Sequence, residues 1–186
     1  TARSRGLGDV YKRQVANRIQ ASELQDKGVL ANCHVNVIQT QDHPQFKTYS
    51  EELKWLTTDT TRMTWVANTI KDIATSGNTL ILVDRISAGE LLEKKIPGSV
   101  FVSGSTKNMD RKEQYDEIST STNKVIIATY GVAAVGINIP RIFNLVLIEP
   151  GKSFVRVIQS IGRGIRKAED KDLSLIHISE PTRPSS

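Results

Sequence analysis

The chain has 186 residues, of which 38% are hydrophobic and 24% charged, and its formal net charge is +5. This length suits one domain with a core of its own, and the composition excludes a disordered or fibrous chain. No apolar run approaches the roughly 18 residues of a membrane span and no signal-peptide pattern opens the chain, so no membrane partner is expected. Cys33 is the only cysteine, which excludes an internal disulfide and favours a cytoplasmic location.

The two ends of the chain differ from its interior. Residues 1–14 hold four basic residues and one acidic residue, so most of the net positive charge lies there and the interior is only mildly basic. Residues 173–186 carry no net charge, and neither segment has a periodic apolar face. Both segments resemble translated sequencing-library adapter. We therefore predict a non-native or disordered tail at each end and base the predicted fold on residues 15–172.

Between the tails, short apolar segments alternate with amphipathic ones. An alternating segment comes first and predicts an edge strand: HVNVIQ (34–39). Four later segments are apolar throughout, which is typical of strands buried on both faces of a parallel sheet: TLILV (79–83), VFV (100–102), VIIAT (125–129) and LVLIE (145–149).

The segments between these strands have helical spacing. The apolar stripes are Phe46, Tyr49, Leu53 and Leu56, and then Met63, Val66, Ala67, Ile70 and Ala74. Strands and helices that alternate over this length imply βαβ units. We therefore predict an α/β fold with a three-layer, open, mainly parallel sheet, in which residues 15–45 lead into the domain and residues 46–172 form it.

Polar and glycine-containing segments follow three of the predicted strands. Asp84 and Arg85 follow TLILV, Ser103-Gly104-Ser105 follow VFV, and TYGVAAVGINIP (129–140) begins at the end of VIIAT. Ligands of open parallel sheets bind beyond the carboxyl ends of the strands. These segments are therefore candidates for a binding site.

The segment EPGKSF (149–154) contains the Gly-Lys-Ser of a phosphate-binding loop. Such a loop needs a glycine five residues before its Gly-Lys, so that consecutive backbone N–H groups can surround the phosphates. Val146 occupies that position, inside a predicted strand. We interpret the segment as a strand-to-helix turn with Ser153 as the N-cap.

The segment QSIGRGIR (159–166) combines two glycines with two arginines. On a helix, Gln159, Arg163 and Arg166 fall within an arc of about 60°. Gly162 and Gly164 flank Arg163 and leave room for a ligand to approach the backbone. Arginine is suited to phosphate oxygens because it can bond them in bidentate fashion. These residues alone also fit a solvated basic helix face.

Four motifs together carry a family resemblance. QSIGRGIR matches Q-x-x-G-R-x-x-R, motif VI of superfamily 2 helicases, and TYGVAAVGINIP resembles motif V. TLILVDRI resembles motif IV and VFVSGSTKNMDRKE resembles motif IVa. FKTYSEELKWLTTDTTRMTWVANTI is similar to the phage UvsW type of this superfamily. The resemblance covers about residues 22–172 and implies the second RecA-like lobe of an ATP-dependent DNA helicase of recombination and repair.

The resemblance implies nucleotide-binding roles for five residues. Arg163 and Arg166 would reach the γ-phosphate of ATP from across a cleft between two lobes, with Arg166 as the arginine finger, and Gln159 would order that cleft. Gly136 and Asn138 would lie near the nucleotide. Asn138 stands where the superfamily commonly has Asp, so its amide can bond a hydroxyl but makes no ionic contact.

The resemblance also implies a DNA site and partners. The residues that would hold the backbone of the tracked strand are Arg85, Ser103, Gly104, Thr129 and Tyr130. The expected partners are single-stranded or branched DNA and the first RecA-like lobe of the same protein. ATP would be bound with Mg²⁺, held mainly by that first lobe. Because the chain has no match to a phosphate-binding loop or an Asp-Glu magnesium motif, it is expected to be inactive alone.

Other classes of function remain open. An RNA helicase lobe is one alternative, since contacts to the backbone carry little information about the sugar. A non-enzymatic α/β domain that binds an anion or nucleic acid is another. A small-molecule enzyme is disfavoured because no His-carboxylate or Ser-His-Asp grouping is present. The three histidines lack ligand spacing, so no metal site is predicted.

Overall fold

The computed structural model describes residues 13–15, 33–40, 45–106, 108–119, 122–136, 142–148 and 173–179. The described part of the chain holds seven strands and five helices. In chain order they are β1 (Arg13–Val15), β2 (Cys33–Thr40), α1 (Tyr49–Thr58), α2 (Thr60–Ala74), β3 (Thr79–Val83), α3 (Ile86–Lys95), β4 (Val100–Val102), α4 (Asn108–Ser119), β5 (Val125–Thr129), α5 (Tyr130–Gly136), β6 (Asn144–Leu147) and β7 (Leu173–Ser179).

The described strands form one sheet in the order β1-β2-β7-β6-β3-β5-β4. β1 pairs with β2 in antiparallel fashion, and every other pair is parallel. The predicted α/β class and mainly parallel sheet are therefore confirmed. β3, β4 and β5 have the predicted bounds, whereas β6 begins one residue before the predicted strand and ends at Leu147.

The central strands are apolar throughout because both faces of the sheet are buried. On one face, Ile81 of β3 pairs with Ile127 of β5 and Val146 of β6, and this face packs against α2 and α3. On the other face, Leu80 pairs with Ile126 and Leu145, and all three are fully buried. A strand with both faces covered shows no polar alternation, which explains the sequence pattern.

Two short-range caps begin the first two helices. Thr48 and Glu51 form a capping box at the start of α1. The Asp59 side chain accepts a hydrogen bond of 2.8 Å from the Arg62 amide at the start of α2. Asp59 also donates its own amide to the carbonyl of Trp55 at the end of α1. One residue thus ends α1 and begins α2.

The residues of the two predicted apolar stripes are buried to different extents. All five residues of the second stripe, on α2, are buried in the core. In the first stripe Leu56 is buried, but Tyr49 is 56% exposed because it is the first residue of α1. Phe46 precedes the helix and packs against Trp55, with a distance of 5.6 Å between ring centroids.

A polar cluster joins the amino ends of β3, β5 and β6 to the end of α2. The Asn144 amide nitrogen donates to the carbonyl of Ile73 at 3.2 Å and to Ser76 Oγ at 3.0 Å. Asn78 Oδ1 accepts a hydrogen bond of 2.8 Å from the Lys124 amide. Gly77 has a φ of 152°, and a Cβ there would overlap the ring of Phe143. This cluster fixes where three parallel strands begin.

The structure differs from the sequence prediction at the two ends. β7 lies within the segment predicted as a tail, yet it pairs with β6 on one side and β2 on the other. Its Ile176 and Ile178 are buried in the core. β1 contains two residues of the predicted amino-terminal tail and covers the outer side of β2, so β2 is not the edge strand that HVNVIQ predicted. The apolar residues of β7 were not predicted as a strand, because the segment resembles translated adapter and was therefore predicted as a tail.

We predict that deletion of residues 173–186 lowers the melting temperature by on the order of 10 °C. Burial of a large aliphatic side chain stabilises by about 1.5–3 kcal/mol, and each kcal/mol corresponds to about 2–4 °C in a domain of this size. Deletion of residues 180–186 alone, which leaves β7 intact, is the matched control. Thermal unfolding followed by circular dichroism measures both. A melting temperature unchanged by the longer deletion would restore the tail prediction.

Candidate functional site

Four neighbouring strands, in the order β6, β3, β5 and β4, end at the same level of the sheet. Val83 pairs with Thr129, and Val102 pairs with Ala128, so Ser103 follows β4 at the level of Thr129. Leu82 pairs with Leu147, so Ile148 follows β6 at the level of Val83. Since neighbouring strands lie about 4.8 Å apart, this edge is about 14 Å long from β6 to β4. We call it the carboxyl edge.

The turn after β4 is held by hydroxyl groups. The Ser103 amide donates to Thr106 Oγ1 at 3.1 Å, and the Thr106 amide donates to the carbonyl of Ser103 at 3.1 Å. The hydroxyls of Ser103 and Ser105 are 2.8 Å apart. Gly104 is exposed, and no atom lies within 4 Å of the position that its Cβ would take. A ligand can therefore approach the backbone at Gly104 closely.

The segment after β5 passes directly into a short helix. Thr129 is the last residue of β5, and its hydroxyl accepts a hydrogen bond of 3.4 Å from the Val132 amide in α5. Thr129 and Tyr130 are half-buried, while Gly131 is exposed with open space around it. Gly136 ends α5 and lies about 9 Å along the helix from Tyr130, at 1.5 Å per residue. It is therefore displaced from the carboxyl edge itself.

Arg85 brings positive charge to the carboxyl edge. It is the N-cap residue of α3, but its side chain makes no capping hydrogen bond. The side chain is half-buried and follows the exposed Asp84. The sequence placed Arg85, Ser103, Gly104, Thr129 and Tyr130 after the ends of strands, and the structure brings all five to the same edge. Their binding roles stay predictions.

The arginine-bearing motif lies outside the described residues. This applies to Gln159, Arg163, Arg166 and Asn138, and to the turn with Ser153 as its predicted N-cap. The structure does describe Ile148, the residue from which the chain continues toward that motif. Ile148 is fully buried beside the end of β3. The described chain therefore leaves β6 at the carboxyl edge, upstream of that motif.

The motif search missed one polar residue that contacts this edge. Arg62 of α2 is fully buried, and its Nη2 donates to the carbonyl of Ile148 at 3.2 Å. A signal was present, because Arg62 lies four residues before Val66 and so falls on the apolar stripe of α2. A charged residue at a core position is expected to have a specific partner.

Two further features concern membranes and metals. No helix in the described part of the chain is long and apolar enough to cross a membrane. Within the same residues, no group of three or more His, Cys, Asp or Glu side chains is placed to hold a metal ion.

Comparison with known proteins gives relatives for most of the chain. It is 26% identical over 181 residues to ATP-dependent DNA helicase uvsW of Enterobacteria phage T4, covering 91% of this chain and 35% of that protein. It is 31% identical over 96 residues to Putative helicase 22 of a Sulfolobus islandicus filamentous virus, covering 50% of this chain and 17% of that protein. The chain thus spans about a third or less of these relatives.

Solved structures show the same fold. The crystal structure of T4 UvsW superposes with a TM-score of 0.62 at 24% identity, covering 76% of this chain and 30% of that one. S. cerevisiae Dbp5 bound to RNA and ADP BeF3 gives a TM-score of 0.51 at 19% identity, covering 65% of this chain and 33% of that one. These similarities establish the RecA-like fold of helicase C-terminal domains.

A family model decides the classification. The model of the helicase conserved C-terminal domain matches residues 61–168, which is more than half of the chain. The match begins in α2, includes β3 to β6, and extends through the segment with the two glycines and two arginines. The chain therefore belongs to the helicase conserved C-terminal domain family, and within it is similar to UvsW, a superfamily 2 helicase.

Proposed function

We propose that this chain is the second motor lobe of an ATP-dependent superfamily 2 DNA helicase that remodels branched DNA in recombination and repair. The observation that carries the proposal is the carboxyl edge, where a guanidinium, two hydroxyl-bearing turns and a glycine with open space at its Cα lie in one row. The T4 relative is named a DNA helicase, which favours DNA as the substrate.

The carboxyl edge has the chemistry of a phosphate-backbone site. Most protein contacts to the nucleic-acid backbone come from Arg and Lys, from Ser and Thr hydroxyls and from backbone N–H groups. Arg85, Ser103 and Thr129 carry the first two kinds of group, and the open space at the Cα of Gly104 lets a phosphate come close to the chain there. Such contacts ignore base identity, which a motor that moves along any sequence requires.

The nucleotide site is proposed from the segments that carry motifs V and VI. Gly136 and Asn138 would lie near ATP, and Gln159, Arg163 and Arg166 would face its γ-phosphate across the cleft to the first lobe. Guanidinium groups fit this ligand because they bond phosphate oxygens in bidentate fashion and stabilise charge on the transferred group. ATP supplies the phosphoryl group, and we assign Mg²⁺ mainly to the first lobe.

The two sites together suggest how the lobe would work. Closing the cleft would bring Arg166 to the γ-phosphate, and opening it after product release would move the carboxyl edge along the strand. Gating motions of this kind complete a catalytic site and often set the turnover rate.

RNA is the second candidate substrate. Dbp5, which shares the fold, was solved bound to RNA, and backbone contacts distinguish the two sugars poorly. Competition between DNA and RNA strands of identical sequence for the full-length protein separates these candidates. A non-enzymatic binding domain would instead bind its anion equally well with and without a first lobe.

We predict that the isolated chain does not hydrolyse ATP, whereas the full-length protein that contains it does so when DNA is added. The physical reason is that the arginines stabilise a transition state whose triphosphate and Mg²⁺ are held by the other lobe. Steady-state phosphate release measures both. DNA-stimulated turnover by the purified isolated chain would contradict the division between lobes.

We predict that Arg166→Ala in the full-length protein lowers kcat strongly, in or somewhat below the range of about 10³–10⁵-fold that arginine fingers contribute. Arg163→Ala should act in the same direction. Folding should change by less than about 0.5 kcal/mol, as is usual for surface positions. DNA binding without nucleotide should persist because the strand contacts lie on the carboxyl edge.

The matched control removes an exposed charge elsewhere. Lys94→Ala, in the last turn of α3, should leave kcat unchanged. Arg166→Lys should not restore full activity, because an ammonium lacks the planar fork of a guanidinium. Near-normal DNA-stimulated turnover in the Arg163→Ala/Arg166→Ala double variant would mean that this helix face is only a solvated basic surface.

A further inference from the structure

Arg62 is a buried cation in the first turn of α2. Its exposed fraction is 0%, and it lies next to Met63 and four residues before Val66, both fully buried. Burial of a guanidinium is costly unless its N–H groups are matched by acceptors. Its hydrogen bonds therefore show which parts of the fold it joins.

Two of these hydrogen bonds reach carbonyl groups on different elements. Nη1 donates to the carbonyl of Leu56 at 2.5 Å, and Nη2 donates to the carbonyl of Ile148 at 3.2 Å. Leu56 lies in the last turn of α1, where carbonyls have no partner within the helix and carry the negative end of the helix dipole. Ile148 is the first residue after β6.

The guanidinium thus connects the end of α1 to the end of β6. The backbone of Arg62 is itself fixed, because its amide is held by the Asp59 side chain. The ion–dipole contact at Leu56 orients one arm of the fork, and the other arm is then directed at Ile148. A lysine has no rigid fork with which to hold two separated carbonyls in the same way.

We propose that Arg62 is a positioning residue for the nucleotide site. It fixes the carboxyl end of β6, and from that point the chain continues to Gln159, Arg163 and Arg166. The α1–α2 pair therefore holds Ile148, the last described residue before the arginine-bearing segment. This inference rests on the proposed function, since it assigns the segment a catalytic task.

The first test uses the full-length protein. Arg62→Met keeps an unbranched apolar side chain but removes the donors, and Arg62→Lys keeps the charge. We expect kcat at saturating DNA to fall at least tenfold in Arg62→Met, while KM for ATP and Kd for DNA change less than twofold. Ile70→Val, a buried change eight residues further along the same helix, controls for a general loss of stability and should leave kcat unchanged.

The split between kcat and KM separates positioning from a merely structural role. If Arg62 only stabilises the fold, folded Arg62→Met protein has normal kcat, and that result overturns the proposal. An equal fall in kcat for Ile70→Val also overturns it. Should Arg62→Met fail to fold, Arg62→Lys answers the same question: reduced kcat with unchanged KM supports positioning, and full activity refutes it.

The second test uses the 186-residue chain and does not depend on ATP hydrolysis. Amide hydrogen exchange at Leu147 and Ile148 should be at least tenfold faster in Arg62→Lys than in the original chain, with β3 amides unchanged. Equal exchange at the end of β6 would overturn the proposal. If the original full-length protein shows no DNA-stimulated hydrolysis, the proposed function fails, and the exchange result alone decides whether Arg62 fixes β6.

Discussion

The fold depends on one constraint, namely that the central parallel strands are buried on both faces and therefore cannot change register. Ile81, Ile127 and Val146 lie on one face and Leu80, Ile126 and Leu145 on the other, all with 0% exposure. A slip of one residue would exchange the two sets and disturb the packing on both faces at once. Because the register is fixed, the ends of β6, β3, β5 and β4 stay at the common level that forms the carboxyl edge.

The two edges of the sheet perform different tasks. At the amino edge, Asn78 and Asn144 use their amides to join strands to each other and to the end of α2. Their hydrogen bonds are directed inward, and both residues are buried. At the carboxyl edge, Arg85 is half-buried and Gly104 is exposed with open space at its Cβ position, which a ligand can enter. The stability of one edge thus allows the other to present polar groups in fixed positions.

Much of this arrangement could be predicted from the sequence. Apolar runs such as TLILV gave the bounds of β3 to β5, because strands buried on both faces leave an unmistakable pattern. The residues after those strands gave the carboxyl edge, because parallel strands direct their carboxyl ends the same way. Motif VI gave the family resemblance that the family model confirms.

Other features depend on tertiary contacts that local patterns do not contain. The place of Arg62 on the apolar stripe of α2 predicts that it has a partner but not which one, since Leu56 and Ile148 are six and 86 positions away. β7 was missed because LSLIHIS resembles adapter, although two of its isoleucines are buried in the core.

The central claim, that the carboxyl edge binds the nucleic-acid backbone, is tested most directly by amide chemical shifts. The isotope-labelled 186-residue chain is titrated with single-stranded DNA of mixed sequence at low salt, where phosphate contacts are strongest. We expect the amides of Arg85, Gly104 and Tyr130 to shift, while those of Asn78 and Lys124 at the amino edge do not. Shifts confined to the amino edge or to residues 1–14 would contradict it.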